Sequence, residues 1–192
     1  MSDLSEKLQS LQMEMPGWCI APTEELVLGY EKQFGLTLPP DYRAFLAEFG
    51  GCLVNASAPF QEPTPFGRNG IVDHFFGFMP EARSCCDVRA NTARIEGAPD
   101  VVAIAGDLMG GMIWLKCTGI DTGNVYYYDH EQRASWPDER FNAHFSALSS
   151  DIENYLALRR QNQLPQKTAG YANLYRMAAT FSGFVSSLER DA

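Results

Sequence analysis

The segment Pro39–Gly51, Pro-Pro-Asp-Tyr-Arg-Ala-Phe-Leu-Ala-Glu-Phe-Gly-Gly, constrains this chain more than any other. Two prolines preset the first turn of a helix, where a missing N–H leaves no bond unmade. Asp41 then suits the positive end of the helix dipole. Tyr42, Phe45, Leu46 and Phe49 follow at i, i+3, i+4 and i+7, which is one apolar face. Gly50-Gly51 stops the helix, because glycine enters the left-handed region freely. A helix this short with so large an apolar face must lay it on another element, so the rest of the chain has to supply a wall.

The flanking residues extend the pattern. Thr23 is an N-cap candidate followed by Glu24 and Glu25, and Leu26, Tyr30 and Phe34 fall four apart with Val27 beside them. Gly35 fits the position just past the end of that helix. Ahead of it, residues 1–22 form a polar lead, with a helix carrying Leu4, Leu8 and Leu11 that Pro16-Gly17 ends. Residues 55–70 hold Pro59, Pro63, Pro65, Gly67 and Gly70 and read as a turn-rich loop. Ile71–Phe78 reads as a strand, and Ser84–Ile95 as a short helix closed by Gly97 and Pro99.

A meander follows. Val101–Ala105, Met112–Cys117 and Asn124–His130 are strand-like runs separated by the turns Gly106–Gly111 and Thr118–Gly123. Short strands joined by Gly- and Asp-bearing turns signal antiparallel pairing rather than crossover helices. Tyr126, Tyr127 and Tyr128 stand in succession on the third, so tyrosines point to both faces. Phe145–Arg160 reads as a helix, Gln161–Gly170 as a polar linker, and the chain closes on a helix from Tyr171 with Leu174, Tyr175, Ala178, Val185 and Leu188 on its apolar side. Helices and strands are segregated along the chain, which predicts an α+β fold: a mainly antiparallel sheet with helices around it and a C-terminal helical extension.

Charge narrows the partners. The 192 residues carry a net charge of −9. Glu96, Asp100, Asp107, Asp121, Asp129 and Glu131 face Lys116 alone across one 36-residue stretch, a net of −5, whereas the other 156 residues together carry −4. Such a surface repels nucleic acid and anionic membranes and suits a basic partner. No apolar run approaches the ~20 residues that span a bilayer. The polar start lacks the pattern of a signal peptide, so a cytoplasmic protein is expected. Five cysteines without C-x-x-C spacing, and three histidines isolated in sequence, lead us to expect reduced thiols and no metal.

Catalytic motifs are sparse. Neither phosphate-loop glycine pattern occurs, nor does the G-x-S-x-G elbow. The run Gly106-Asp107-Leu108-Met109-Gly110-Gly111 joins two strands, so it reads as a tight hairpin with Asp107 at its start rather than a cofactor loop. Asp129-His130-Glu131 places two carboxylates on one side of an extended strand. That pair could serve as acid and base, meet a partner, or be a solvated turn. We expect no cofactor. The candidate partner-binding set is Asp107, Asp121, Tyr126, Tyr128, Asp129 and Glu131, with the acids steering a basic protein and the tyrosines anchoring it.

Glu31–Gly51 resembles the N-terminal signature of the SUKH superfamily, the Smi/Knr-type domain named partly for fungal regulators of cell-wall synthesis. The matching residues are Gly35, Leu38, Pro39, Asp41, Tyr42, Phe45, Leu46 and Gly50. Asp107 with Gly110-Gly111, then Ile113-Trp114-Leu115, then Val125 to His130, continue the likeness in order, over Thr23 to Leu158. Phe34-Gly35 stands where the family more often has Leu-Gly, and the tail from Arg159 lies outside the pattern. The resemblance implies a twisted, mainly antiparallel sheet with helices around it, and hence a SUKH-like domain at 23–160 followed by a linker and helix at 161–192. It also implies a non-catalytic immunity protein that binds and neutralises a cognate protein toxin, often a basic nuclease. A regulatory scaffold of the fungal kind, or a hydrolase built on Asp107, Asp129 and Glu131, are the alternative expectations.

Overall fold

A computed structural model describes residues 3–17, 19–80, 85–95 and 100–191. The helix legible between the prolines and the glycines is α3 (Pro40–Phe49), and Tyr42, Phe45, Leu46 and Phe49 are all buried. Gly50 ends it at φ 64°, and a Cβ there would lie 2.2 Å from the Ile20 carbonyl oxygen, so only glycine fits both the conformation and the space. Before it run α1 (Asp3–Ser10) and α2 (Glu24–Phe34). The N-cap of α2 is Thr23, whose hydroxyl accepts the Leu26 N–H at 3.2 Å, and Gly35 closes it at φ 65°.

Among the described residues the sheet has seven strands: β1 (Cys52–Pro59), β2 (Asn69–Phe75), β3 (Val101–Gly106), β4 (Met112–Lys116), β5 (Val125–Tyr128), β6 (Leu174–Ala178) and β7 (Glu189–Arg190). Their order is β6-β5-β4-β3-β2-β1-β7, with every pairing antiparallel. The fold is α+β, as expected. The sheet curls until strands distant in its order meet: a Cβ on Gly70 of β2 would lie 2.9 Å from Met177 Cε of β6. The segment after β1 seals the β6 edge, since the Gln61 N–H bonds the Arg176 carbonyl at 2.8 Å and the Arg176 N–H bonds Glu62 at 2.6 Å. An edge covered in this way cannot pair with another chain.

Four local expectations are corrected. Residues 55–70 are not all loop, because β1 runs to Pro59, which sits at the strand end where proline is tolerated, and only 60–68 connect it to β2. The short helix is α4 (Val88–Thr92), started by Asp87, whose carboxylate accepts the Arg89 and Ala90 N–H groups; Ser84, Gly97 and Pro99 lie outside the described residues. Phe145–Arg160 is not one helix. Only its second part is helical, as α6 (Ser150–Arg160), where the Ser149 hydroxyl caps the helix by accepting the Ile152 N–H; Phe145 lies just past the end of a separate helix, α5 (Asp138–His144). The tail is not helical from Tyr171: Leu174–Ala178 is β6, and the helix is α7 (Phe181–Ser187), capped by Thr180. Leu174, Tyr175, Met177 and Ala178 are all buried, so pairing with the open side of β5 overrides a helical period.

Candidate functional site

The β3–β4–β5 meander positions the predicted residues, and its geometry divides them. Strands reverse at each turn, so the 107–111 turn and the 129–133 segment lie at one end, and the 117–124 turn at the other. Strands of four to six residues put roughly 13–20 Å between the ends. Asp107, Tyr128, Asp129 and Glu131 therefore share one end. Asp121 occupies the other, and Tyr126 leans to it, donating its hydroxyl to Asp121 at 3.0 Å.

Most of these carboxylates bond within the chain. Asp107 Oδ1 accepts the Met109 and Gly111 N–H groups, each at 2.8 Å, and Oδ2 accepts the Tyr127 hydroxyl at 3.3 Å. Asp129 is fully buried; it accepts the Arg133 N–H at 2.5 Å and pairs with the Arg133 guanidinium at 3.3 Å. Burial raises the Asp129 carboxyl above the ordinary value, against the pull of Arg133. Glu131 takes the other guanidinium nitrogen of Arg133 at 2.8 Å, and its side chain stays about a third exposed. Asp129 and Glu131 thus do converge, on a cation rather than on an open site. At the far end Lys116 is held by Asp100 and lies 3.9 Å from Asp121.

The tyrosines divide by face as strand alternation requires. Tyr128 stacks on Trp114 with centroids 4.3 Å apart, and Tyr126 stands opposite Trp114 in the β4–β5 register. Tyr127 turns to the other side, against Phe60 and Phe66. Tyr128 is the most exposed of the three, and it is only half-buried.

Comparison with known proteins gives this arrangement a family. Residues 21–187 match the SMI1 / KNR4 family (SUKH-1). The chain belongs to that family. A relative in Bacillus subtilis (strain 168), described as an SPbeta prophage-derived uncharacterized protein YokK, is 24% identical over 153 residues, covering 72% of this chain and 77% of the relative. No solved structure matches the chain.

The SUKH-1 match continues through β6 and α7, so it includes the segment that completes the sheet beside β5. Residue patterns alone missed several groups at the Asp107 end. Asp73 of β2 accepts the Leu108 N–H at 2.7 Å, and His74 lines a cleft of about 400 Å³ with Asn91, Arg94, Asp107 and Met112. Burial lowers the His74 pKa, against the pull of Asp73 and Asp107. Arg133 stands four residues from Asp129, a spacing that an extended strand would not bring together but the turn after β5 does. Among the described residues no three His, Cys, Asp or Glu side chains gather as a metal site, and no helix is long and apolar enough to cross a membrane.

Proposed function

We propose that this SUKH-1 protein is a non-catalytic immunity protein that binds a cognate toxin domain of basic character inside the cell and blocks it. The family match over 21–187 carries the reading, together with the immunity role that the resemblance implies for bacterial members. Charge supports it, since a net of −5 lies between Glu96 and Glu131. The site chemistry favours binding over hydrolysis. A catalytic carboxylate needs free lone pairs facing a substrate, whereas Asp107 and Asp129 spend theirs on the chain's own N–H groups and on Arg133. Asp121 and Glu131 keep a quarter to a third of their side chains in water and are the proposed steering charges. Tyr128 and Asp107 accompany Glu131 at one end of the meander and Tyr126 accompanies Asp121 at the other, while buried Asp129 holds Arg133 in place behind the first group.

The test is co-expression with the toxin domain encoded by the neighbouring gene. The expected result is restored growth and a stoichiometric complex on gel filtration. Growth arrest unrelieved by this protein, or a neighbourhood encoding no toxin, rejects the reading. Within a complex, Asp121→Asn with Glu131→Gln is expected to slow association several-fold and flatten its salt dependence, with dissociation little changed. Stopped-flow rates at two salt concentrations measure this.

A further inference from the structure

The feature of the surface least explained by folding is the tip of the β3–β4 turn. Leu108 and Met109, two adjacent large apolar side chains, are 84% and 81% exposed there. Single exposed leucines are ordinary, but turn tips favour Gly, Asn, Asp and Ser, and contiguous apolar surface has a use. Among the described residues neither side chain joins a hydrophobic core.

The backbone beneath them is held unusually well. Asp107 Oδ1 takes two N–H groups of the turn, Asp73 takes the N–H of Leu108 itself, and the Asp107 N–H bonds the Gly111 carbonyl at 3.0 Å. Gly110 sits at φ 91°, and a Cβ on Gly111 would lie 2.3 Å from both Asp107 Oδ2 and the Tyr127 hydroxyl. A solvent-facing loop with no task would not require this anchoring. A rigid apolar tip loses little entropy when it is buried, which is what an interface anchor needs.

We infer that Leu108 and Met109 are the anchor of the partner interface, entering an apolar recess on a protein partner whose rim is basic. Charge complementarity selects that partner. Asp73 and Asp107 stand directly behind the tip, within the most acidic stretch of a chain of net charge −9 or bonded to it, with Arg94 across the adjoining cleft. The inference rests on the immunity reading above and places its contact at one end of the meander, away from Asp121. Ile120, fully exposed in the 117–124 turn, offers a control of at least equal exposure at the opposite end.

The experiment measures affinity for the toxin domain encoded beside the gene, using the full chain and four forms: wild type, Leu108→Asp/Met109→Asp, Leu108→Ala/Met109→Ala, and Ile120→Asp. Expected are a loss of at least ~100-fold for the Asp pair, ~10-fold or more for the Ala pair, and no more than about threefold for Ile120→Asp. Thermal unfolding of the free variants should match wild type, because the side chains lie in solvent. Wild-type binding that both tip variants retain overturns the anchor and leaves the immunity reading standing. Failure of the wild type to bind overturns that reading, and the anchor with it. A wild-type dimer that the Asp pair converts to monomer assigns the tip to a second copy of this chain and overturns the toxin contact.

Discussion

Two hydrophobic clusters among the described residues are built by different means. In the larger one, α3 and α7 lie on the sheet, and Phe45 packs on Phe49, Phe75 and Phe181 with ring centroids 5.1–5.4 Å apart and no charge among them. The smaller one joins Trp136, Phe141, Ile152, Tyr155 and Leu156 across α5, α6 and the turn before them. It is ringed by arginines. Arg140 lies 3.9 Å above the Trp136 ring, and Arg159 stands over Phe141 while donating to the Trp136 carbonyl at 2.8 Å and pairing with Asp138. Five apolar residues cannot exclude water by themselves. Planar guanidinium groups cover the rings and satisfy the loop carbonyls together, which a methylene chain could not do. The first cluster should therefore govern global stability, and the second should open as a unit of its own.

The largest effect that would break this distinction is at Phe45. Phe45→Ala is expected to cost about 3–5 kcal/mol, because the ring is buried among aromatic neighbours that cannot collapse into the space. A urea midpoint unchanged from wild type would remove α3 from the stabilising core.

A smaller and more local effect is expected in the arginine-ringed cluster. Arg159→Met keeps the stem but loses the bond to the Trp136 carbonyl and the pair with Asp138, at about 2 kcal/mol. Hydrogen exchange should then accelerate across 150–160 while the amides of β3 and β4 keep their protection. Uniform acceleration through the sheet would show that the two clusters unfold as one.

The same contrast explains what was legible in the residues. Helices α2 and α3 could be read because their stops and caps are local: Thr23, Gly35, Pro39-Pro40 and Gly50 act through neighbours a few positions away. The meander was legible because its turns carry Gly and Asp at strand-length spacing. Strand β6 was not, since Leu174, Tyr175 and Ala178 fit a helical face, and only the open edge of β5 decides for a strand. The break before Ser150 was missed because Phe145 and Leu148 extend the helical period, although they pack against the smaller cluster from outside α6. The candidate acids were found by type, but their use was hidden. Whether Asp107 faces water or its own turn depends on two backbone N–H groups and the Tyr127 hydroxyl, donors that a residue list does not place. Leu108-Met109 carries no signal of its own in the sequence, because Asp107 and the glycines of the run already account for a hairpin.

The smallest effect is the most discriminating, because its sign differs between the regions. Each region holds a fully buried aspartate beside an arginine: Asp87 with Arg89 next to the main core, and Asp129 with Arg133 where the meander meets the smaller cluster. Burial opposes ionisation in both. At Asp87 it is outweighed by the Arg89 side chain and the Ala90 and Met79 N–H groups, which leave the carboxyl below its ordinary 3.8; at Asp129 burial prevails over Arg133 and the carboxyl sits above 3.8. Linkage converts these directions into slopes. For Asp87 the unfolded chain binds the proton more tightly, so its stabilisation is present above 3.8 and is lost as pH falls through the lower folded value. For Asp129 the folded chain binds the proton more tightly, so stability is greatest at low pH and declines as pH rises from 3.8 through the raised folded value. Urea midpoints between about pH 3 and 7, each taken as wild type minus the Asp→Asn variant, should rise with pH for Asp87→Asn and fall with pH for Asp129→Asn. A slope that rises with pH for Asp129→Asn as well would mean that Arg133 outweighs burial there, and that the smaller cluster's boundary is held by an ion pair as favourable as the one beside the main core; a slope that falls for Asp87→Asn would mean that burial prevails at both sites.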